Sequence, residues 1–255
     1  MSAPSLAARL AEARARAAVL DAAPWRDAIA DVADAYRVQS ELAQLAGGDV
    51  RAWKVTAVTA AQQQGYRSSK PVAGALLAPF FYTSPATVVL AAFVAPLLEC
   101  EISFLLGRDL PARETPYERA EVEAAVEAMV PALEIADCRW PAGAPDLLKL
   151  ADDMGNGAFI AGNKVANWRG VDLAGIQIAL VHDGTVIEHG NAAKILGDPL
   201  MAVMELANAQ PLPAGGLRRG QIVTTGTCTT PVPLRPGRYE ADFGPLGTMA
   251  LAVRS

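Results

Sequence analysis

LLECEISFLLGRDL, residues Leu97 to Leu110, sets two carboxylates, Glu99 and Glu101, into one of the most apolar regions of a 255-residue chain. If the segment is a strand, the spacing of two puts both side chains on one face, with Cα atoms roughly 7 Å apart. Like charges that close among apolar neighbours repel one another and lose hydration. Two arrangements make this tolerable. One is a solvated outer strand face. The other is a hard divalent cation such as Mg2+ or Mn2+, which neutralises the pair and takes their oxygens as ligands. A third carboxylate on an adjacent strand would complete an open site, with positions left for water and substrate. Glu134, in PALEIADC, suits that place because it interrupts another apolar run. The spacing alone is compatible with both arrangements.

Upstream of this stretch, two helices open the chain. SLAARLAEARARAAVL carries Leu6, Leu10 and Ala13 at helical spacing, and WRDAIADVADAYRVQSELAQLAGG follows Pro24 and ends in a glycine pair. RAWKVTAVT begins strand-like, and from Ala86 onward the pattern becomes β-rich. Downstream, PYERAEVEAAVEAMVPALEI reads as a helix with Pro116 at its start and glutamates in its first turns. Pro131 is expected to end or kink that helix, leaving ALEIADCRW as the next strand. GIQIALVHDGTVIEHG is a hairpin signal through Asp183-Gly184, DPLMAVMELANA a helix with Asp198 as N-cap, and GQIVTTG and GTMALAV two further strands. The expected class is α+β, with a helical N-terminal region over residues 1–75 and a larger β domain over 76–255.

The composition, 52% hydrophobic and 19% charged, is that of a soluble globular protein. A net charge of −5 offers no basic patch for nucleic acid and no polybasic membrane anchor. Three scattered cysteines, Cys100, Cys138 and Cys228, lack CxxC spacing and suit a reducing cytoplasm. The first residues lack the charged-then-apolar order of a secretory signal. Pro71 to Leu98 is uncharged and long enough to span a bilayer, but Pro79, Pro85 and Pro96 interrupt it, so it reads as buried strands and turns rather than a membrane segment.

Other residues carry candidate chemistry. Lys54 sits among Trp53, Val55 and Val58. A lysine in apolar surroundings serves as a base or holds a carboxylate with its ammonium, whereas one at a strand end simply snorkels to water. Lys164, in FIAGNKVANW, has the same two readings. Thr225, Gly226 and Thr227 follow a strand, where hydroxyls and backbone N–H groups bind a carboxylate or merely form a turn. There is no Walker A, no GxSxG elbow and no glycine fingerprint after a strand, and His182 and His189 have no triad or HExxH context. Nucleotide chemistry and serine hydrolysis lose support accordingly.

Taken together and in order, PLLECEISFLLGRDLP, PALEIADCRW, LADDMGNGAFIAG, LGDPLMAVMELAN and IVTTGT…ADFGPLGTMAL resemble the 2-keto-4-pentenoate hydratases and 4-oxalocrotonate decarboxylases of the fumarylacetoacetate hydrolase superfamily. The likeness covers nearly the whole chain. It implies a mixed β-sheet roll with a helical N-terminal part, and Mg2+ or Mn2+ on Glu99, Glu101 and Glu134. It also implies a small 2-keto acid as substrate, in a cytoplasmic lyase of aromatic catabolism. Lys54 matches a family lysine beside the substrate, and Lys164 resembles one that the hydrolase branch places there. Asp152, Asn156, Thr225, Gly226 and Thr227 fall on segments that bind substrate. Homo-oligomers and association with a companion hydratase or decarboxylase are implied as well. Where the hydratases carry Pro-Asp-Tyr/Phe-Gly this chain has Pro71-Val72-Ala73-Gly74, so an acid that helps water addition is missing. Hydration of 2-hydroxypenta-2,4-dienoate leads. Decarboxylation or C–C hydrolysis of an oxalocrotonate or acylpyruvate follows, and a non-catalytic partner is the alternative outside catalysis.

Overall fold

In the computed structural model, which describes residues 4–255, helices α1 (Leu6–Ala15) and α2 (Val32–Leu45) precede strand β1 (Val50–Thr56), helix α3 (Ala60–Gly65) and strands β2 (Val72–Leu77), β3 (Phe81–Thr83) and β4 (Ala86–Val89). The centre of the chain holds β5 (Leu97–Leu106), α4 (Arg119–Ala125), β6 (Val126–Ala136), α5 (Asp146–Ala151) and β7 (Asn156–Ala161). The hairpin β8 (Gln177–His182) and β9 (Thr185–Asn191), helix α6 (Leu200–Asn208) and strands β10 (Ile222–Thr227), β11 (Val232–Pro233), β12 (Gly237–Asp242) and β13 (Thr248–Arg254) complete it. The class is α+β, as expected, and no helix among the described residues is long and apolar enough to cross a membrane.

The larger sheet runs β2-β1-β10-β5-β6-β7-β3, with β11 on β5, and its two edge strands are consecutive in the chain. Only Ala78–Phe80 joins them. A flat sheet of this width would separate its edges by roughly 29 Å, whereas three residues reach about 10 Å. The sheet therefore rolls until its β2 and β3 edges come close without pairing, and beside that seam Phe81 of β3 packs on its strand partner Phe159 of β7 at 5.4 Å. Small side chains fill the narrow interior. Ala52, Ala128, Ala132 and Ala161 line it with Leu76, Leu105, Val130, Phe159 and Ile222. The outer face, with Leu98, Cys100, Ile102 and Phe104 of β5, packs against the second sheet, β4-β13-β12-β8-β9. Since β5 is covered on both faces, it reads as an almost continuous apolar run.

The segment expected as a helical N-terminal region contributes strands too, because β1 and β2 pair inside the larger sheet. Its helices cover the free edge of β2. Gln39 of α2 donates to the carbonyls of Ala73 (3.1 Å) and Leu150 (2.6 Å) and accepts from the N–H of Ala75 (3.3 Å), occupying the edge another strand would otherwise use. Helix α2 begins at Val32 rather than near Trp25, because the Asp31 carboxylate caps it by accepting from the Asp34 N–H at 2.9 Å.

Helix α4 also differs from its expectation. It ends at Ala125, and Pro131, expected to end or kink a longer helix, lies inside β6 opposite Ile102. The proline is tolerated because its missing N–H faces the end of β7. There Pro131 keeps only its carbonyl bond, from the Gly162 N–H at 2.8 Å. A side chain on Gly162 would lie 2.8 Å from Pro131 Cγ, so that position accepts only glycine. The hairpin turns at Asp183 (φ 46°) and Gly184 (φ 80°), the left-handed pair that an Asp-Gly turn requires.

Candidate metal centre

Strand alternation carries the polar residues into the roll. Leu105 lies inside, so Ser103, Glu101 and Glu99 share its face; Ala132 brings Glu134, Ile222 brings Thr224, and Ala52 brings Lys54. The register then gathers them. Glu99 stands opposite Glu134 across β5 and β6, and Lys54 opposite Thr224 across β1 and β10. One carboxylate oxygen from each of Glu99, Glu101 and Glu134 lies within 4.8 Å of the others. Glu101 and Glu134 are fully buried, so the solvated-strand arrangement does not hold.

Lys54 Nζ lies 2.9 Å from Glu134 Oε1. Burial opposes its charge, but Glu134, Glu99 and Glu101 outweigh burial and hold the ammonium above the usual lysine range. Burial pushes Glu99 up to about 7, against the pull of Lys54 and with the repulsion of Glu134. Glu101 is raised well above the carboxylate range by burial and by its two acidic neighbours. Its Oε2 accepts from the hydroxyl of Thr224, a residue the sequence reading missed although it sits two residues from the interior Ile222.

Asn156 reaches the cluster through a bulge. Plain alternation from Phe159 would turn it outward, but the register shift between Ile135 and Ala136 places it opposite Ala136, and its Nδ2 donates to Glu134 Oε1 at 3.1 Å. A second bulge, at Gly226 (φ 105°), sets Thr227 opposite Glu101. The Thr225 hydroxyl donates to the Ile102 carbonyl at 2.8 Å, and that of Thr227 to the Thr229 carbonyl at 3.1 Å.

Three expected site residues are not brought here. Thr225 follows the inward Thr224 and so takes the outer face of β10, beside Ile102. Lys164 is 63% exposed and lies 3.5 Å from Glu127, near the opposite end of β6 from Glu134, because the chain after β7 runs back along that strand to pair Val165 with Met129. Asp152 is buried but committed to Arg139. Its Oδ1 accepts from Nε (2.8 Å) and a terminal nitrogen (2.5 Å), and its Oδ2 from the Arg139 backbone N–H (3.0 Å).

The cluster's composition suits a hard divalent cation. Three carboxylates against one ammonium leave a formal charge of −2 when all are ionised. Glu101 Oε1, Glu134 Oε2 and Asn156 Oδ1 are buried without hydrogen-bond partners. Orphaned oxygens carry a penalty of about 1–3 kcal/mol each, more for charged ones, and oxygen donors are what Mg2+, Mn2+ and Ca2+ take as ligands.

Known proteins resemble this chain in sequence and in fold. The family described as "Fumarylacetoacetate (FAA) hydrolase C-terminal" matches residues 37–254. The chain is 32% identical to a 2-keto-4-pentenoate hydratase of Burkholderia vietnamiensis, over 96% of this chain and 95% of that one. It is 31% identical to a 4-oxalocrotonate decarboxylase of a Pseudomonas species, over 71% and 69% of the two. Among solved structures, 4-oxalocrotonate decarboxylase from Pseudomonas putida G7, complexed with magnesium and adipate, superposes with a TM-score of 0.83 at 25% identity, covering 97% of this chain and 95% of that one.

Proposed function

The chain belongs to the fumarylacetoacetate hydrolase family, and from that premise we propose a lyase that uses Mg2+ or Mn2+ to hydrate 2-hydroxypenta-2,4-dienoate to a 4-hydroxy-2-keto acid. The observation that carries this reading is the buried convergence of Glu99, Glu101 and Glu134 with Lys54 inside the roll. A divalent cation held by the three carboxylates would supply Lewis acidity toward the carboxylate and keto oxygens of a 2-keto acid. Lys54 Nζ, 2.9 Å from Glu134 among the three carboxylates, is placed to deliver a proton to the substrate or to hold the substrate carboxylate. Asn156 and Thr224 fix Glu134 and Glu101 by hydrogen bonds, so the ligand oxygens are oriented before substrate arrives. The enclosing apolar wall keeps water from screening these charges.

Decarboxylation of an oxalocrotonate is the second reading, favoured by the decarboxylase superposition and by Val72 where the hydratases carry an acid. Incubation of the purified protein with the dienoate, an oxalocrotonate and an acylpyruvate, each with Mg2+ and with EDTA, separates the cases. Mg2+-dependent turnover of the dienoate is expected. Turnover of the oxalocrotonate or the acylpyruvate alone would overturn hydration. Binding of Mg2+ without turnover of any of the three, together with activation of a co-expressed enzyme, would identify a non-catalytic partner. We place the protein in the cytoplasm, in keeping with its three free cysteines, and as a homo-oligomer, which exposed Val89 (46%) and Leu97 (38%) in the uncharged 71–98 region support; sedimentation as a monomer at micromolar concentration would count against the oligomer.

A further inference from the structure

Arg14 lies on α1, outside the residues 37–254 that match the family, yet it reaches the edge of the carboxylate site. Its guanidinium donates to the backbone carbonyl of Asn156 and stacks over the Phe80 ring, 4.1 Å from the centroid. The same carbonyl accepts from Arg139 at 2.8 Å, and Arg139 is itself held by Asp152. Asn156 is 1% exposed and opens β7 directly after Asp153, Met154 and Gly155, three residues in a row with positive φ. A turn of that kind does not by itself settle the direction of the next peptide plane. The register shift opposite Ala136 turns Asn156 inward, and the two guanidiniums on its carbonyl hold that peptide plane and with it the direction of the Asn156 amide. The amide is the hydrogen-bond donor on Glu134 Oε1, beside Lys54.

We propose that Arg14 is a positioning residue of the carboxylate site: with Arg139 it holds the Asn156 carbonyl, so that the Asn156 amide fixes Glu134 for cation binding. Helix α1 is thereby part of the functional unit. This rests on the cluster binding a divalent cation, as proposed above.

The test is Mn2+ affinity of the full-length protein by calorimetry, in a double-mutant cycle. Groups that orient metal ligands typically change affinity by about 10–100-fold. Asn156→Ala should weaken Mn2+ binding within that range, and Arg14→Ala by about 10-fold. Because Arg14 acts through Asn156, Arg14→Ala should add little further loss in the Asn156→Ala background. Arg14→Lys keeps the three-methylene stem and a cationic donor, should give an intermediate loss, and serves the same cycle if the alanine variant is poorly folded. Wild-type affinity in both Arg14 variants would overturn the proposal. So would an Arg14 effect that persists undiminished in the Asn156→Ala background, the signature of general loosening. Failure of the wild type to bind Mn2+ would instead overturn the cation reading beneath it.

Discussion

Two buried ionic clusters lie on either side of Asn156, and they are built on opposite terms. Around Arg139, the Asp152 carboxylate takes three hydrogen bonds from one arginine, two through side-chain nitrogens and one through its backbone N–H. Around Glu134, three carboxylates share one ammonium, and two of their oxygens face no partner. The first cluster is charge-matched and satisfied, which suits a structural joint between α5 and β6. The second holds excess negative charge in a low-dielectric enclosure, where it persists only if something positive completes it. Satisfaction of the ion pair's own polar atoms, more than burial, separates the joint from the site; the adjoining Asp153 Oδ1, buried without a partner, is the exception on the joint's side.

The strongest way to break the contrast is Arg139→Met. It strands Asp152 as an uncompensated buried charge and should cost about 3–5 kcal/mol in urea unfolding, measured with EDTA, where the cation plays no part. A loss below about 1 kcal/mol would show that this joint is not structural.

Asp153 sharpens the comparison through pH. Burial, opposed by Arg14 and reinforced by Asp152, pushes its carboxyl up to about 7. A folded-state pKa above the unfolded value means that the native state binds the extra proton. This group's contribution is therefore present at pH below about 4 and lost as pH rises through about 7. Asp153→Asn should gain on the wild type across that window, by up to about 4 kcal/mol, in denaturation curves from pH 4 to 8. A difference that does not vary with pH would count against the raised carboxyl.

Glu101→Gln tests the unsatisfied cluster. The wild type should gain about 2.7 kcal/mol when the cation is present at about 100 times Kd, and the variant far less. Without cation the variant should be no less stable, because a like-charge repulsion has been removed. Equal metal-induced melting shifts in the two proteins would sink the site assignment.

The smallest effect is expected at Lys164. Its exposed contact with Glu127 should be worth less than about 0.5 kcal/mol, and Lys164→Ala should leave Mn2+ affinity and turnover unchanged. A large loss of turnover in this variant would restore Lys164 to the site.

The two clusters were not equally legible from the chain. Glu99, Glu101, Glu134 and Lys54 each interrupt an apolar run, and a charged residue where a strand should be buried is a local anomaly that needs no fold to notice. Thr224 gave no such signal, since threonine is ordinary in a strand. Asp152, expected beside substrate, is held by Arg139, and a buried acid looks the same in sequence whether its partner is a substrate or an arginine. The overextended helix before Pro131 has a similar cause. RAEVEAAVEAM has helical composition, but pairing with β5 captures it from Val126 onward, and Met129 also pairs with Val165.

From the sequence alone came the α+β class, the strand carrying Glu99 and Glu101, the Asp-Gly hairpin and the carboxylates suited to a hard cation. These depend on periodicity, turn chemistry and burial of single residues, all of which act over a few positions. Tertiary structure alone decided that the sheet closes into a roll, that bulges at Gly226 and before Ala136 turn Thr227 and Asn156 toward the cluster, that Lys164 stays outside it, and that Arg14 reaches it from the first helix. Each of these depends on register between segments far apart in the chain, and a one-residue slip there reverses which face a side chain occupies.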